Sequence, residues 1–160
     1  MVAALLLLAC GGGASLQNGV YADSEARYHV GELGDGWSTV GVSNNDLAWH
    51  HRDLGAVVQV NASCDPFSDV PLTSLTSHLL IGFTAREYAS SDLVPLDGRE
   101  ALRSHVRAQL DGVPREILLY VLKKDECTYD FALIAPPGER YAQAEPAFES
   151  FVNGFSTVVQ

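Results

Sequence analysis

Positive charge is what this sequence has least of: 10 Lys and Arg stand against 20 Asp and Glu, a formal net charge of -10 at pH 7. A surface of that sign repels phosphate backbones and anionic headgroups, which argues against nucleic acid as a partner. Long apolar runs are also missing. The run at the start, residues 2–9, has eight residues, where a helix crossing a bilayer needs about 20. There is no Gly-x-Ser-x-Gly elbow, no His-Glu-x-x-His, no phosphate-binding loop, no dinucleotide glycine pattern and no Cys-x-x-Cys pair. Each would have pointed to a definite chemistry. Without them no catalytic residue, metal or cofactor is expected. What the chain does have is 160 residues at 47% hydrophobic content, enough to bury the core of one domain.

The first ten residues end in Leu7-Leu8-Ala9-Cys10, and Gly11-Gly12-Gly13 follows. The apolar run suits the core of a secretion signal. Leu-Leu-Ala-Cys resembles the lipobox of bacterial lipoproteins. That resemblance implies cleavage before Cys10, a diacylglyceryl thioether on its sulfur and acylation of the new amine. Two or more acyl chains make a durable anchor, where a single one binds marginally. The chain departs from the pattern in having no Lys or Arg before the run, where a positive start is usual; an initiator upstream of Met1 would account for it. The alternative, an apolar N-terminal strand, is opposed by the triple glycine. Gly11 is not the Asp that resembles an inner-membrane retention signal, which favours the outer membrane over the inner. Residues 10–27 have no apolar period and read as a flexible tether, several tens of ångström long when extended. The expected organisation is thus a signal peptide at 1–9, a tether at 10–27 and a domain at 28–160. Loss of the nine uncharged signal residues would leave the whole charge of -10 on the mature chain.

Three cysteines is an odd number. With lipid on Cys10, Cys64 and Cys127 remain, and an exported protein meets an oxidising compartment in which they can close a disulfide. The alternative is two separately buried thiols acting as small apolar residues.

The middle of the chain is rich in β-branched and aromatic residues. Gly34-Asp35-Gly36 turns into a short strand at 37–42, and the runs 47–51 and 56–62 read as a hairpin. After Pro71, Leu72, Leu75, Leu79 and Phe83 fall at helical spacing. Two Leu-Asp-Gly triplets, at 96–98 and 110–112, are hairpin signals that help to divide the next stretch into strands at 86–95, 99–110, 114–123 and 127–135. In the second of these, Leu102, Val106, Ala108 and Leu110 share one parity while Arg99, Arg103 and Arg107 share the other, as in a strand with one wet face. A helix is expected from Pro146, with Phe148, Phe151, Val152 and Phe155 on one surface docked to the sheet. The pattern is α+β: an antiparallel sheet flanked by helices.

In this order the elements resemble the PsbP-like fold. They are Gly36-Trp37 before a strand, a hairpin ending in Val57-Val58-Gln59-Val60, a helix, an antiparallel meander and a terminal Phe-x-x-Phe-Val-x-x-Phe helix. The family includes the extrinsic photosystem II protein and a factor that binds the small GTPase Ran, and many bacterial members are exported or lipid-anchored. The resemblance covers about residues 28–158. It implies an α/β/α sandwich and a role in binding proteins, and it carries over no catalytic residue.

Of the histidines, His50 and His51 are adjacent and would point to opposite faces of a strand, so simple spacing does not let both hold one metal. His78 reads as a surface residue. Asp65, Asp69, Asp125 and Glu126 lie near the two cysteines, and a disulfide would gather them into a solvated acidic rim. Ca²⁺ or a basic partner is the alternative use of such oxygens, although EF-hand spacing is absent. The expected function is a non-catalytic protein-binding or assembly module in the cell envelope, tied to the membrane by lipid on Cys10. Its partner would be an unknown envelope protein met by the sheet end or the acidic rim. The alternatives are a hydrolase using His105 and Asp97 at strand-end loops, or a carrier of a small ligand or metal.

Overall fold

The computed structural model describes residues 13–41, 43, 45–65 and 69–158; Cys10 and the signal-like run lie outside them. The chain opens with three short strands, β1 (Ser15–Gln17), β2 (Val20–Ala22) and β3 (Arg27–His29). Asn18 and Gly19 join the first two with φ of 52° and 74°, the left-handed pair that a two-residue hairpin turn requires. The tether expected at 10–27 is therefore corrected over its described part. Residues 15–22 pair strand to strand, and Tyr21 and Ala26 are both 3% exposed. Three-residue strands are too short to display an apolar period, which is why the sequence reads as linker.

Next come β4 (Trp37–Thr39), β5 (Leu47–His51) and β6 (Ala56–Cys64), then α1 (Leu72–Leu79). The helix starts after Pro71, whose fixed φ suits a helix entry, but it ends before Phe83. Gly82 turns the chain at φ 91°, and Phe83 opens β7 (Phe83–Leu96) instead. It still packs with Leu80 in the same apolar cluster. The chain then meanders through β8 (Arg99–Leu110), β9 (Val113–Lys124) and β10 (Cys127–Ala135).

These strands form one seven-stranded antiparallel sheet in the order β4-β5-β6-β10-β9-β8-β7. After β6 the chain crosses to the far edge and works back until β10 pairs with β6. That return sets Cys127 directly opposite Cys64, and the two are joined by a disulfide.

The last helix, α2 (Glu139–Asn153), begins seven residues before the expected start and keeps Pro146 inside it. Tyr141, Ala144, Phe148, Phe151 and Val152 form a single buried stripe, so the apolar face that binds the helix to the sheet extends upstream of the proline. Phe155 lies beyond the helix, against Tyr28, Tyr129 and Phe131. A final strand, β11 (Ser156–Thr157), pairs with β3 and completes a second sheet in the order β1-β2-β3-β11.

Each face of the large sheet is covered by one helix. On one side α2 packs over Leu118, Leu122, Phe131 and Leu133. On the other, α1 and the turn after it cover Val106, Ile117 and Leu119. The result is an α+β sandwich with a helix on either face of an antiparallel sheet.

Candidate functional site

Alternation along β8 separates its two faces, and the face of Arg99 and Arg107 is exposed at both of those residues. Val106 and Ala108 face α1, while Arg103 lies on the α2 side. There its Nη2 donates to Glu149 Oε1 at 2.7 Å and to Glu145 Oε1 at 3.2 Å, and its Nε donates to Tyr120 Oη at 3.0 Å. The wet face expected for Arg99, Arg103 and Arg107 is thus corrected at Arg103. Two carboxylates on α2, four residues apart, satisfy the cation and cover it. No sequence signal within β8 could identify partners more than 40 residues away.

One turn earlier on the same helix, His105 stacks on Tyr141, with ring centroids 4.9 Å apart. Its Nε2 is 2.8 Å from Glu116 Oε1. The other Glu116 oxygen accepts the Gly138 N–H at 3.1 Å, at the start of α2. The buried carboxylate therefore fastens the helix N-terminus to β9, in keeping with the partial positive charge there.

Asp97 serves a different contact. Its Oδ2 accepts from Lys124 Nζ at 2.7 Å and from the Thr157 N–H at 2.8 Å, which ties the β7–β8 turn to β11. Burial pushes the Asp97 pKa up, but the hydrogen bonds from Lys124 and Thr157 outweigh it and hold the carboxyl below the ordinary carboxylate range. His105 and Asp97 are thus each committed to structural partners rather than to one another.

The disulfide does gather the acidic loops, but the rim has both signs. The Asp65 N–H donates to Glu126 O at 3.1 Å. A hollow of about 240 Å³ beside the bridge is lined by Asp65, Asp125 and Glu126 together with Arg99, Lys123 and Lys124. Lys123 also lies 3.7 Å from Asp69. The purely acidic rim is therefore corrected. The basic residues come from the ends of β8 and β9, which the meander returns to the same corner. Among the described residues no group of three or more His, Cys, Asp or Glu side chains is placed to hold a metal. His51 lies edge-on to Trp37, at 5.4 Å between centroids, and His50 is on the opposite face of β5 through its register with Val57. His78 is exposed on α1.

Asp130, on β10, is the carboxylate most altered by its surroundings. It pairs in register with Asn61, whose Nδ2 donates to it at 3.5 Å. Burial, reinforced by the charge of Asp46, pushes its pKa up to about 6. The native pKa is higher than the unfolded one, so this group's contribution to stability is fullest below pH 4 and is lost as the pH rises through 6. Asp130→Asn is therefore expected to stabilise the protein by about 2 kcal/mol at pH 7 and by almost nothing at pH 4. Urea unfolding at the two pH values checks this; equal gains at both would contradict it.

A cleft of about 430 Å³ opens where the small sheet meets the edge of the large one. Its floor is Val30 and Phe151, 2% and 1% exposed. Leu33, Trp37 and Trp49 form its walls, Leu16 stands at the mouth, and Glu32 and Asp35 lie on the rim. Trp49 meets Phe151 edge-on at 5.1 Å. Trp37 and Trp49 are the only two tryptophans of the chain. Sequence reading misses this cleft because its mouth depends on the Asn18-Gly19 hairpin. That dipeptide, next to Leu16 and Val20, is the signal that could have found it.

No family model matches the chain, and no curated protein does. Solved structures do. The chain is similar to the cyanobacterial PsbP protein CyanoP of Synechocystis sp. PCC 6803, with a TM-score of 0.58 and 18% identity over 95% of this chain and 99% of that one. LpqN of Mycobacterium tuberculosis, a protein involved in cell envelope biogenesis, matches with a TM-score of 0.60 and 10% identity over 92% and 90%. A Bacteroides thetaiotaomicron structure matches with a TM-score of 0.58 and 10% identity; it covers 83% of this chain, which spans 46% of that longer protein. At such identities the likeness concerns architecture, and the architecture of this chain is PsbP-like.

Proposed function

We propose that this protein is a lipid-anchored cell-envelope module that binds or assembles other proteins without catalysing a reaction, held to the membrane through lipid on Cys10. The Cys64–Cys127 bridge carries the reading. Such pairs persist in oxidising compartments beyond the inner membrane. The bridge also leaves Cys10 as the odd cysteine, at the position where a lipobox places the lipidated residue. LpqN, with the same architecture, is described by its role in cell envelope biogenesis, which supports the location. Gly11 after the cysteine favours the outer membrane.

The structural engagement of His105 with Glu116, and of Asp97 with Lys124, favours binding over hydrolysis. The far-edge strand β7 offers Tyr88 and Leu93, 46% and 57% exposed, on a surface that a protein partner could cover. Cys10→Ser is expected to move the protein from the membrane to the soluble periplasmic fraction, by an order of magnitude or more. Fractionation with immunoblotting measures this, and undiminished recovery in the membrane fraction would overturn the anchor.

A further inference from the structure

The pairing of β1 with β2 brings paired strand close to the anchor position. Strand β1 begins at Ser15, and Cys10 is six residues from Leu16 in sequence, a span of at most about 20 Å. Leu16 is 37% exposed at the mouth of the tryptophan cleft. An acyl chain attached to Cys10 is thus tethered at that mouth at high effective concentration. Val30 and Phe151 give the cleft an apolar floor, and Leu33, Trp37 and Trp49 give it apolar walls.

We infer that the cleft holds one acyl chain of the lipid carried by Cys10, an inference that rests on the anchor reading above. Charge selects this occupant over a free fatty acid. Glu32 and Asp35 on the rim repel a free carboxylate, whereas a chain bound to Cys10 through glycerol or an amide brings no charge. A bilayer already shelters the chain, so the gain comes from covering the apolar wall of the cleft, which otherwise faces water. The remaining chains stay in the bilayer, and the domain is held with its tryptophan side toward the membrane.

The test is to produce the full-length protein in a bacterial envelope supplied with a diazirine-bearing fatty acid, and to irradiate it in its membrane. The mass of the Cys10 peptide reports the lipid, and crosslinked peptides report where the chain lies. The expected result is lipid on Cys10 with crosslinks inside the same molecule to Leu33, Trp37 or Trp49. Leu16→Glu is expected to lower their yield about five-fold by placing a charge at the mouth, with the anchor mass unchanged. Lipid on Cys10 with crosslinks confined to bilayer lipids, or running only between two copies, would overturn the inference while leaving the anchor intact. An unmodified Cys10 would overturn both.

Discussion

Replacing Cys64 and Cys127 together by alanine is expected to lower the unfolding free energy by about 4 kcal/mol. The two residues are 63 apart in sequence, and the value is the loop-closure entropy that the bridge removes from the unfolded chain. The loss falls mainly on the denatured state. In the native sheet, the β6–β10 ladder keeps Cys64 opposite Cys127 through the register running from Thr128↔Ser63 to Ile134↔Val57. The variant should accordingly fold to the same structure. Net stability of a domain is typically about 5–15 kcal/mol, so the change removes a large part of it and lowers Tm by roughly 10 °C. Urea titration of parent and variant measures the difference. A loss below about 1 kcal/mol would mean that the unfolded chain retains enough structure near the bridge to make the covalent link redundant. The prediction also bears on location, because a protein that depends on this bridge needs an oxidising compartment to reach full stability.

Legibility in the sequence follows the range of the interaction concerned. The meander was legible because Asp97-Gly98 and Asp111-Gly112 encode their turns within two residues, with φ of 47° and 75°, and 51° and 77°. The disulfide was legible by counting. The boundaries of α2 were not, since Pro146 is a strong local start signal and yet lies in a helix whose buried stripe already runs from Tyr141. Arg103 and the corner by the bridge were illegible for a further reason. Residue parity tells which side of a sheet a side chain takes, but not what the chain later lays over it. Glu145 and Glu149 reach Arg103, and Arg99 and Lys124 reach the acidic loops, only once the sheet order is set. The cleft combines both problems, because it needs a three-residue strand, two tryptophans on neighbouring strands and a phenylalanine from the last helix.

Gly154→Ala is expected to destabilise the fold by about 3 kcal/mol, through a clash between backbones rather than through backbone strain. Gly154 ends α2 with φ -80° and ψ 0°, angles that alanine adopts freely. The obstacle is space, since a Cβ there would lie 2.6 Å from Gly31 Cα and 2.7 Å from Gly31 N. Nor can Gly31 easily give way. Its N–H donates to Phe151 O at 3.0 Å, and the neighbouring His29 Nδ1 donates to Gly154 O at 2.9 Å. Alanine must therefore lift the segment after β3 off the end of α2, straining or breaking bonds worth about 1 kcal/mol each. Gly41→Ala is the matched control, because a Cβ there meets nothing within 4 Å, and its effect should stay within about 0.5 kcal/mol. Lifting the segment also parts Val30 from Phe151, the two residues that floor the cleft. Trp37 and Trp49 line that cleft and are the only tryptophans, so a red shift of native-state emission should accompany the loss of stability in Gly154→Ala and be absent in Gly41→Ala. Lost stability with unchanged emission would separate the backbone crossing from the cleft. Both effects together would make the crossing of Gly31 over Gly154 the contact that keeps the cleft closed at its base.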